Sequence, residues 1–255
     1  LGIEEFKRLV LEERKILPFD ERWTSYISEL PSYGEKARKK SSKLIKDIND
    51  LEFKEWYANN IYPQAQEGYS VVTISLPLGD LSSHQTRKLA DITRKYINDS
   101  IRLTVEQNIV LRWVSNEDLY DLYQDLKTIN LANSFAGTVV DVTACPGTDT
   151  CKLGIASSRG LAGELRKQLA VKSIEMDKAI KGLRIKISGC FNSCSQHHIS
   201  DIGFYGISRT IKGYKVPHFQ VVLGGQWEQN GGTYGLAIGA VPSKKIPSVV
   251  TKITE

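Results

Sequence analysis

Cys145-Pro-Gly-Thr-Asp-Thr-Cys151 and Cys190-Phe-Asn-Ser-Cys194 contain all four cysteines of this 255-residue chain. Five residues separate the cysteines of the first pair, three separate those of the second, and residues 152–189 lie between the pairs. A connection of that length allows the chain to leave and return to one place. Four thiolates that converge on one point are the ligand set of a 4Fe–4S cluster or of a structural zinc ion.

The spacing favours the cluster over the other uses of four cysteines. Structural zinc sites usually begin with two ligands two to four residues apart, so a five-residue gap fits zinc poorly. Each sulfur of a cubane meets a different iron, so a cluster accepts varied spacings. Disulfides stay open as an alternative, although a chain of this length needs no covalent staples and shows no export leader.

Composition excludes several classes of protein. Apolar residues make up 41% of the chain and charged residues 25%, which is typical of a globular protein with a core. The net charge of +5 is too small for a nucleic-acid-binding signature, and no apolar run is long enough to span a membrane. The chain begins at Leu1 without a leader, so we expect a cytoplasmic fragment of a longer protein, without nucleic-acid or membrane partners.

The first half of the chain predicts a linker followed by a small α+β unit. Residues 1–16 have the apolar spacing of an amphipathic helix, and residues 20–64 are polar and predicted to be irregular. A basic run at residues 36–40 indicates either a solvated linker or an anion- or partner-binding surface. The next elements alternate in a way that predicts a ferredoxin-like layer: strand 69–76, helix 81–99, strand arms 101–104 and 108–114, and helix 117–128.

The cysteine-containing half is also predicted to be α+β. Residues 183–188 alternate apolar and polar, the pattern of a half-buried strand that delivers Cys190 at its end. The other predicted elements are strand 138–143, helices 152–169 and 174–180, strands 201–205, 219–223 and 234–238, and a closing helix within 243–254.

Tight turns accompany both cysteine pairs. Pro146 and Gly147 follow Cys145, and Gly189 precedes Cys190. Such turns direct backbone N–H groups inward, where they would stabilise an anionic cluster. Ser188 and Ser195 could add hydroxyl donors, although ordinary turn chemistry explains them as well. His197 and His198 are candidates for metal ligation, for hydrogen bonding around the ligands, or for plain structural roles.

These residues resemble the sirohaem-dependent nitrite and sulfite reductases. The resemblance rests on three stretches: Thr143-Ala-Cys-Pro-Gly-Thr-Asp-Thr-Cys-Lys-Leu153, Ile187-Ser-Gly-Cys-Phe-Asn-Ser-Cys-Ser-Gln-His-His-Ile-Ser-Asp-Ile-Gly203 and Ile101-Arg-Leu-Thr-Val-Glu-Gln-Asn108. The last is similar to the R-x-T-x-x-Q-N stretch of the family's ferredoxin-like half domain. The likeness covers about residues 65–240.

The resemblance implies a role for several residues. Cys145, Cys151, Cys190 and Cys194 would hold a 4Fe–4S cluster, and the thiolate of Cys194 would also bridge to the iron of sirohaem. Asn192 and Ala144 occupy positions that approach the macrocycle in relatives. Glu106 departs from the pattern, because it stands where the family's first repeat carries a basic, anion-binding residue.

The resemblance also implies a domain plan and a function. The chain resembles the second of two repeats, with a helical linker at 1–64, a ferredoxin-like half domain at 65–135 and a 4Fe–4S/sirohaem-binding domain at 136–255. The enzyme would reduce nitrite to ammonium or sulfite to sulfide with six electrons from ferredoxin or a flavoprotein, and the missing first repeat would complete the active site. The rival hypotheses are a non-catalytic 4Fe–4S electron-transfer module and a zinc-stabilised binding domain.

Overall fold

The computed structural model describes residues 2–29, 36–44, 48–98, 100–173, 175–226 and 232–255. The chain divides into two compact units, Leu1–Lys36 and Ala37–Glu255. The smaller unit contains helices α1 (Ile3–Ile16) and α2 (Arg22–Glu29). The larger unit contains, in chain order, α3 (Leu51–Asn60), β1 (Ile61–Pro63), β2 (Tyr69–Ile74), α4 (Ser83–Tyr96), β3 (Arg102–Leu103), β4 (Ile109–Ser115), α5 (Leu119–Lys127), β5 (Thr143–Ala144), α6 (Ser158–Lys172), α7 (Lys178–Lys181), β6 (Ile185–Ser188), β7 (Ile202–Ile211), β8 (Tyr214–Leu223), β9 (Leu236–Pro242) and α8 (Ile246–Thr254).

The first 64 residues are more ordered than the polar composition predicts. Helix α1 forms as expected, with acidic residues in its first turn and basic residues in its last, which complements the helix dipole. The prediction that residues 20–64 are irregular is wrong, because α2, α3 and β1 form within them. In the basic run, Lys39 donates to Asp118 at 2.7 Å, so this lysine has a structural partner.

The ferredoxin-like half consists of an antiparallel sheet in the order β1-β2-β4-β3 and helices α3, α4 and α5. Asp50 caps α3 by accepting from the Phe53 N–H, and a Ser82–Gln85 capping box starts α4. Trp56 of α3 is fully buried in the core of this half. Residues 51–63 therefore belong to the first sheet and its core rather than to a linker.

The cysteine-containing half is built on a mixed sheet in the order β5-β6-β7-β8-β9. Strands β5, β6 and β7 are parallel, whereas β7, β8 and β9 are antiparallel. Helices α6 and α8 contribute Leu165 and Ile246 to its core. Because β5 and β6 run in the same direction, the residues that follow them emerge at the same edge of the sheet. Cys145 follows β5, and Gly189-Cys190 follows β6.

The strand predicted over residues 138–143 is mostly wrong. Only Thr143 and Ala144 pair as a strand, and residues 138–142 form turns. The Asp141 N–H donates to the Thr138 carbonyl at 2.9 Å, and the Asp141 carboxylate accepts the Gly137 N–H at 3.0 Å. These local bonds compete with strand pairing, which is why an apolar, β-branched run does not extend here.

Three further predictions need adjustment. Helix α6 begins at Ser158, after a loop over 152–157 that contacts the second cysteine segment. Of the helix predicted over 174–180, residue 174 lies outside the described residues, and only α7, capped by the Asp177 carboxylate, is helical. Strand β6 is buried at all four positions rather than on one face.

The remaining predicted elements of the larger unit are confirmed. Strands β2 and β4, helices α4, α5 and α8, and strands β7 and β8 form where the patterns place them, although β7 and β8 are each ten residues long. The strand predicted over 234–238 also forms, but it is shifted and runs from Leu236 to Pro242 as β9. The architecture is α+β: a ferredoxin-like half followed by a mixed-sheet domain. Within the described ranges, no helix has the length and apolar character that crossing a membrane requires.

Candidate metal centre

Cys145 is held between the strand ends and α6. Its N–H donates to the Ile187 carbonyl at 3.1 Å, which continues the β5–β6 ladder by one residue. Its Sγ accepts the Gly189 N–H at 3.1 Å and lies 3.5 Å from the Ser158 Oγ. The Ser158 hydroxyl donates to the Cys145 carbonyl at 2.7 Å. The expected backbone N–H donor to a cysteine sulfur is therefore present at this position.

Two glycines bring the two cysteine segments into backbone contact. A Cβ on Gly189 would lie 2.6 Å from the Cα of Gly147 and 3.0 Å from the Ala156 carbonyl. The Gly189 carbonyl accepts from the N–H groups of Ile155 and Ala156 at 2.9 and 3.0 Å. Gly147 also has a positive φ of 56°, which glycine adopts at little cost. The first cysteine segment therefore wraps around the start of the second.

The four thiols are free, and they differ in exposure. Cys145 and Cys190 are buried, whereas Cys151 and Cys194 are exposed. Four free thiols on two contacting loops, with a backbone donor directed at one sulfur, fit an anionic cluster better than a disulfide framework. Among the described residues, no three His, Cys, Asp or Glu side chains converge closely enough to hold a single metal ion.

A polar network closes the base of the second cysteine loop. The Ser188 and Ser195 hydroxyl oxygens lie 2.6 Å apart, and the Ser188 Oγ lies 2.8 Å from the His197 Nδ1. The Lys186 Nζ donates to the Gln196 Oε1 at 2.9 Å. All three contacts join the strand β6, which precedes the loop, to residues 195–197, which follow it. Ser188 and Ser195 thus have a definite partner in each other, which sequence reasoning left open.

His197 is a buried, hydrogen-bonded residue. Its side chain is fully buried, and its ring centroid lies 4.0 Å from that of His198 and 4.8 Å from that of Tyr205. Burial, and to a lesser extent the neighbouring His198, lowers the pKa of His197 to about 4. The hydrogen bond to Ser188 favours the second of the three roles predicted for this residue, support of the ligand loop.

Gln107 covers the open edge of β5 beside the first cysteine. Its Nε2 donates to the Ala144 carbonyl at 2.8 Å, and its Oε1 accepts the Ala144 N–H at 3.2 Å. Strand β5 is an outer strand of its sheet, so the amide replaces a missing strand partner. Ala144 itself is 1% exposed, whereas Asn192 is exposed on the loop between Cys190 and Cys194.

Asn108 links the two halves of the larger unit. Its Nδ2 donates to the Asp141 Oδ2 at 2.8 Å, and its Oδ1 accepts the Leu76 N–H at 2.9 Å. Burial raises the pKa of Asp141, against the bonds from Gly137 and Asn108 and the charge of Arg166, which lower it. The R-x-T-x-x-Q-N stretch carries part of the family resemblance, but its sequence does not predict that it joins the two halves.

Two other residues lie near the cysteine segments, of which only Glu106 was singled out by the sequence. Arg159, at the start of α6, donates to the Leu78 carbonyl at 2.9 Å and pairs with Asp149 at 3.3 Å, which lies between Cys145 and Cys151. Glu106 lines a cavity of about 270 Å³ together with Arg184 and Asp141. The residue that departs from the family pattern therefore lines a cavity with both acidic and basic side chains.

Comparison with known proteins agrees with this architecture. Residues 62–129 match the nitrite/sulfite reductase ferredoxin-like half domain, and residues 135–255 match the nitrite and sulphite reductase 4Fe–4S domain. The chain is 30% identical over 214 residues to the chloroplastic ferredoxin–nitrite reductase of Zea mays. The aligned stretch covers 80% of this chain and 36% of that protein. It is 30% identical over 172 residues to sulfite reductase [ferredoxin] 2 of Mycolicibacterium paratuberculosis, covering 66% of this chain and 30% of that protein.

A solved structure supports the same assignment. The Mycobacterium tuberculosis NirA protein superposes with a TM-score of 0.65 at 25% identity, over 84% of this chain and 38% of that one. The chain spans about a third of the length of these relatives. The cofactors predicted from the resemblance are those of the family. The chain belongs to the nitrite and sulfite reductase family, whose members use a 4Fe–4S cluster and sirohaem.

Proposed function

We propose that this chain is the cluster-binding part of an assimilatory nitrite or sulfite reductase, with Cys145, Cys151, Cys190 and Cys194 as the ligands of the 4Fe–4S cluster. The observation that carries the proposal is the backbone contact of the two cysteine segments through Gly147 and Gly189. The two cysteine segments are separated by 38 residues in the chain, yet they touch next to the first cysteine of each segment. This contact supports one shared site for the four sulfurs rather than two separate sites.

The residues of this chain would hold and tune the cofactors. The Gly189 N–H donates to the Cys145 sulfur, and such a bond stabilises negative charge on the cluster. Cys194 is exposed, so its thiolate is accessible for the proposed bridge to the sirohaem iron, and the exposed Asn192 lies beside it. Ala144 would contribute through its backbone, which Gln107 fixes in place. When bound, the cofactors would pass electrons one at a time from the donor to the substrate, for the six-electron reduction of nitrite to ammonium or of sulfite to sulfide.

Other parts of the proposal concern what lies outside this chain. A first repeat would supply the basic residues that grip the anionic substrate, because Glu106 takes the corresponding place here. Ferredoxin is the favoured electron donor over a flavoprotein, since relatives are ferredoxin–nitrite and ferredoxin–sulfite reductases by name. We further propose a cytoplasmic location and the division 1–64, 65–135 and 136–255, amended so that residues 51–63 join the ferredoxin-like half.

Anaerobic reconstitution with iron, sulfide and sirohaem tests the proposal. We expect four cluster irons per chain, counted apart from the one iron of any bound sirohaem, and their loss in each of the variants Cys145→Ser, Cys151→Ser, Cys190→Ser and Cys194→Ser. Thr150→Ala is the matched control, because this exposed residue lies in the first loop without being a proposed ligand. A colourless protein with one zinc per chain would contradict the proposal and favour a zinc-stabilised domain. A cluster that forms without sirohaem, even beside the missing repeat of a relative, would favour an electron-transfer module.

A further inference from the structure

Strands β7 and β8 continue beyond the sheet as a two-stranded ribbon, here defined as residues 207–217. β6 pairs with β7 only over residues 202–205, and β9 pairs with β8 only over residues 218–223. Within the part of the chain that the structure describes, no further strand flanks the ribbon. Every residue from 208 to 215 is exposed.

The ribbon is a regular, preorganised element rather than a loose loop. Its ladder runs without interruption from the Ile207–His218 pair to the Ile211–Tyr214 pair. Lys212 and Gly213 have φ values of 48° and 85° and form a two-residue turn with two positive φ angles. Such turns match the twist of a hairpin. A partner that binds the ribbon therefore meets side chains that are already in place.

The charge of the ribbon has a single sign. Arg209, Lys212 and Lys215 lie on it, and residues 207–217 include no Asp or Glu. At its tip, Ile211 is 46% exposed and Tyr214 is 76% exposed. By the strand register, Arg209 lies on the same face as Ile211 and Tyr214, and Lys215 lies on the opposite face. Such a cationic ribbon with a small apolar contact at its tip fits a protein surface rich in carboxylates, because opposite charges steer the encounter and apolar groups add contact area.

The ribbon begins directly against the second cysteine segment. Gly206 packs so closely on the Gly189 carbonyl that any Cβ at Gly206 would overlap it, and Gly189 precedes Cys190. At about 3.3 Å per residue, the six residues from Gly206 to Lys212 span roughly 20 Å. A protein that docks along the ribbon therefore lies within that distance of the proposed cluster ligands.

We propose that the ribbon is the docking arm for a small acidic electron-donor protein. This inference rests on the function proposed above, because it assigns a surface to the donor that the cluster needs. One electron would leave the reduced donor and enter the cluster, so that the donor is oxidised by one electron and the cluster is reduced by one, with no bond made or broken.

Binding of ferredoxin to the full chain with its reconstituted cluster tests the assignment. The variant Arg209→Gln/Lys212→Gln/Lys215→Gln removes the three ribbon cations. The matched control Lys88→Gln/Lys167→Gln/Lys252→Gln removes three exposed cations from α4, α6 and α8, so that both proteins carry the same net charge. A third variant, Arg209→Lys/Lys212→Arg/Lys215→Arg, keeps the charge. Dissociation constants are measured by calorimetry at low and high salt, and reduction of the cluster by stopped flow.

We expect the ribbon variant to bind ferredoxin about tenfold more weakly at low salt, with the difference shrinking at high salt. The control and the charge-conserving variant should bind like the parent chain. Cluster reduction by ferredoxin should slow in the ribbon variant, while reduction by dithionite, a small reagent that needs no docking arm, should not change.

Three results would count against the assignment. Equal affinities of the two neutralised variants, with four irons bound, would overturn the ribbon's role and leave the proposed function intact. Loss of binding to a thymidine oligonucleotide or to anionic vesicles, with ferredoxin binding unchanged, would assign the ribbon to another partner. A chain that takes up no iron would contradict the proposed function itself, and with it the donor's role.

Discussion

Gly189 leaves no room for a side chain between the two cysteine segments. Its neighbours at Cβ distance are the Gly147 Cα and the Ala156 carbonyl, both backbone atoms that cannot rotate away. This close approach, rather than a special φ angle, is what requires glycine here. It is also the contact that brings the two cysteine segments together.

We expect Gly189→Ala to destabilise the chain by about 1–3 kcal/mol, since an added methyl group forces the backbone segments apart. Iron uptake should fall with it, because the two cysteine loops separate. Gly182→Ala is the control, since its nearest neighbours would lie 3.6 Å away, an ordinary contact distance. Urea midpoints and iron per chain are the measurements. Parent-like values for both variants would show that the loops need no such contact.

His197 gives the chain a predictable response to acid. Its pKa falls from 6.5 to about 4 because burial disfavours the charged ring. The unfolded chain therefore binds a proton at a higher pH than the folded chain does. The stabilisation from the neutral buried ring is fully present above pH 6.5 and is lost as the pH falls towards 4, by up to about 3 kcal/mol.

Unfolding free energies of the parent chain, His197→Gln and the exposed-site control His84→Gln at pH 8, 6 and 4.5 check this expectation. The parent and the control should lose stability over this range more steeply than His197→Gln, which has no imidazole to protonate. The same slope in all three proteins would show that His197 does not dominate the acid response.

At the scale of elements, the outer strand β5 depends on a side chain from the other half of the unit. Gln107 forms two hydrogen bonds with the backbone of Ala144, the residue before Cys145. Without it, one buried N–H and one carbonyl at the site would lack their partner. The ferredoxin-like half therefore helps to position the first ligand.

We expect Gln107→Ala to cost about 1–3 kcal/mol and to weaken retention of the cluster, because the Ala144 backbone groups lose both bonds. Gln168→Ala removes one side-chain bond, to Glu164 on α6, and should change stability little. Thermal denaturation and the rate of iron release to a chelator distinguish the two. Iron release at the parent rate in Gln107→Ala would separate the amide from cluster binding.

Some elements of the fold follow from the sequence and others do not. Helix α4 and strand β4 follow from periodicity and caps, which are local properties of the chain. The turns at residues 138–142 and the buried helix α3 do not. In the first case Asp141 makes local turn bonds and its carboxylate also accepts from the distant Asn108, and in the second Trp56 is buried by residues far along the chain. Tertiary contacts override local preference at both places.

For the whole molecule, cluster binding should be linked to folding. The proposed ligands follow β5 and β6 of the same unit, so a cluster bound to the folded chain must stabilise it. We expect removal of iron by a chelator to lower the melting temperature by several degrees, at about 2–4 °C per kcal/mol for a unit of this size. Cys190→Ser should melt at one temperature with or without iron. An equal melting temperature of the parent chain with and without iron would contradict a cluster held by both loops.

The sequence by itself determined the family and its cofactors: four cysteines at C-x5-C and C-x3-C spacing, with the family resemblance around them, predict the cluster and its ligands. It also determined the elements whose apolar period repeats along the chain. Only the tertiary structure decided how the ligands are held, through the contact of Gly147 with Gly189, the amide of Gln107 on β5 and the network of Ser188, Ser195 and His197. The physical reason is that periodicity and spacing are properties of neighbours in the chain, whereas close backbone approach, edge pairing and burial arise between segments far apart in it.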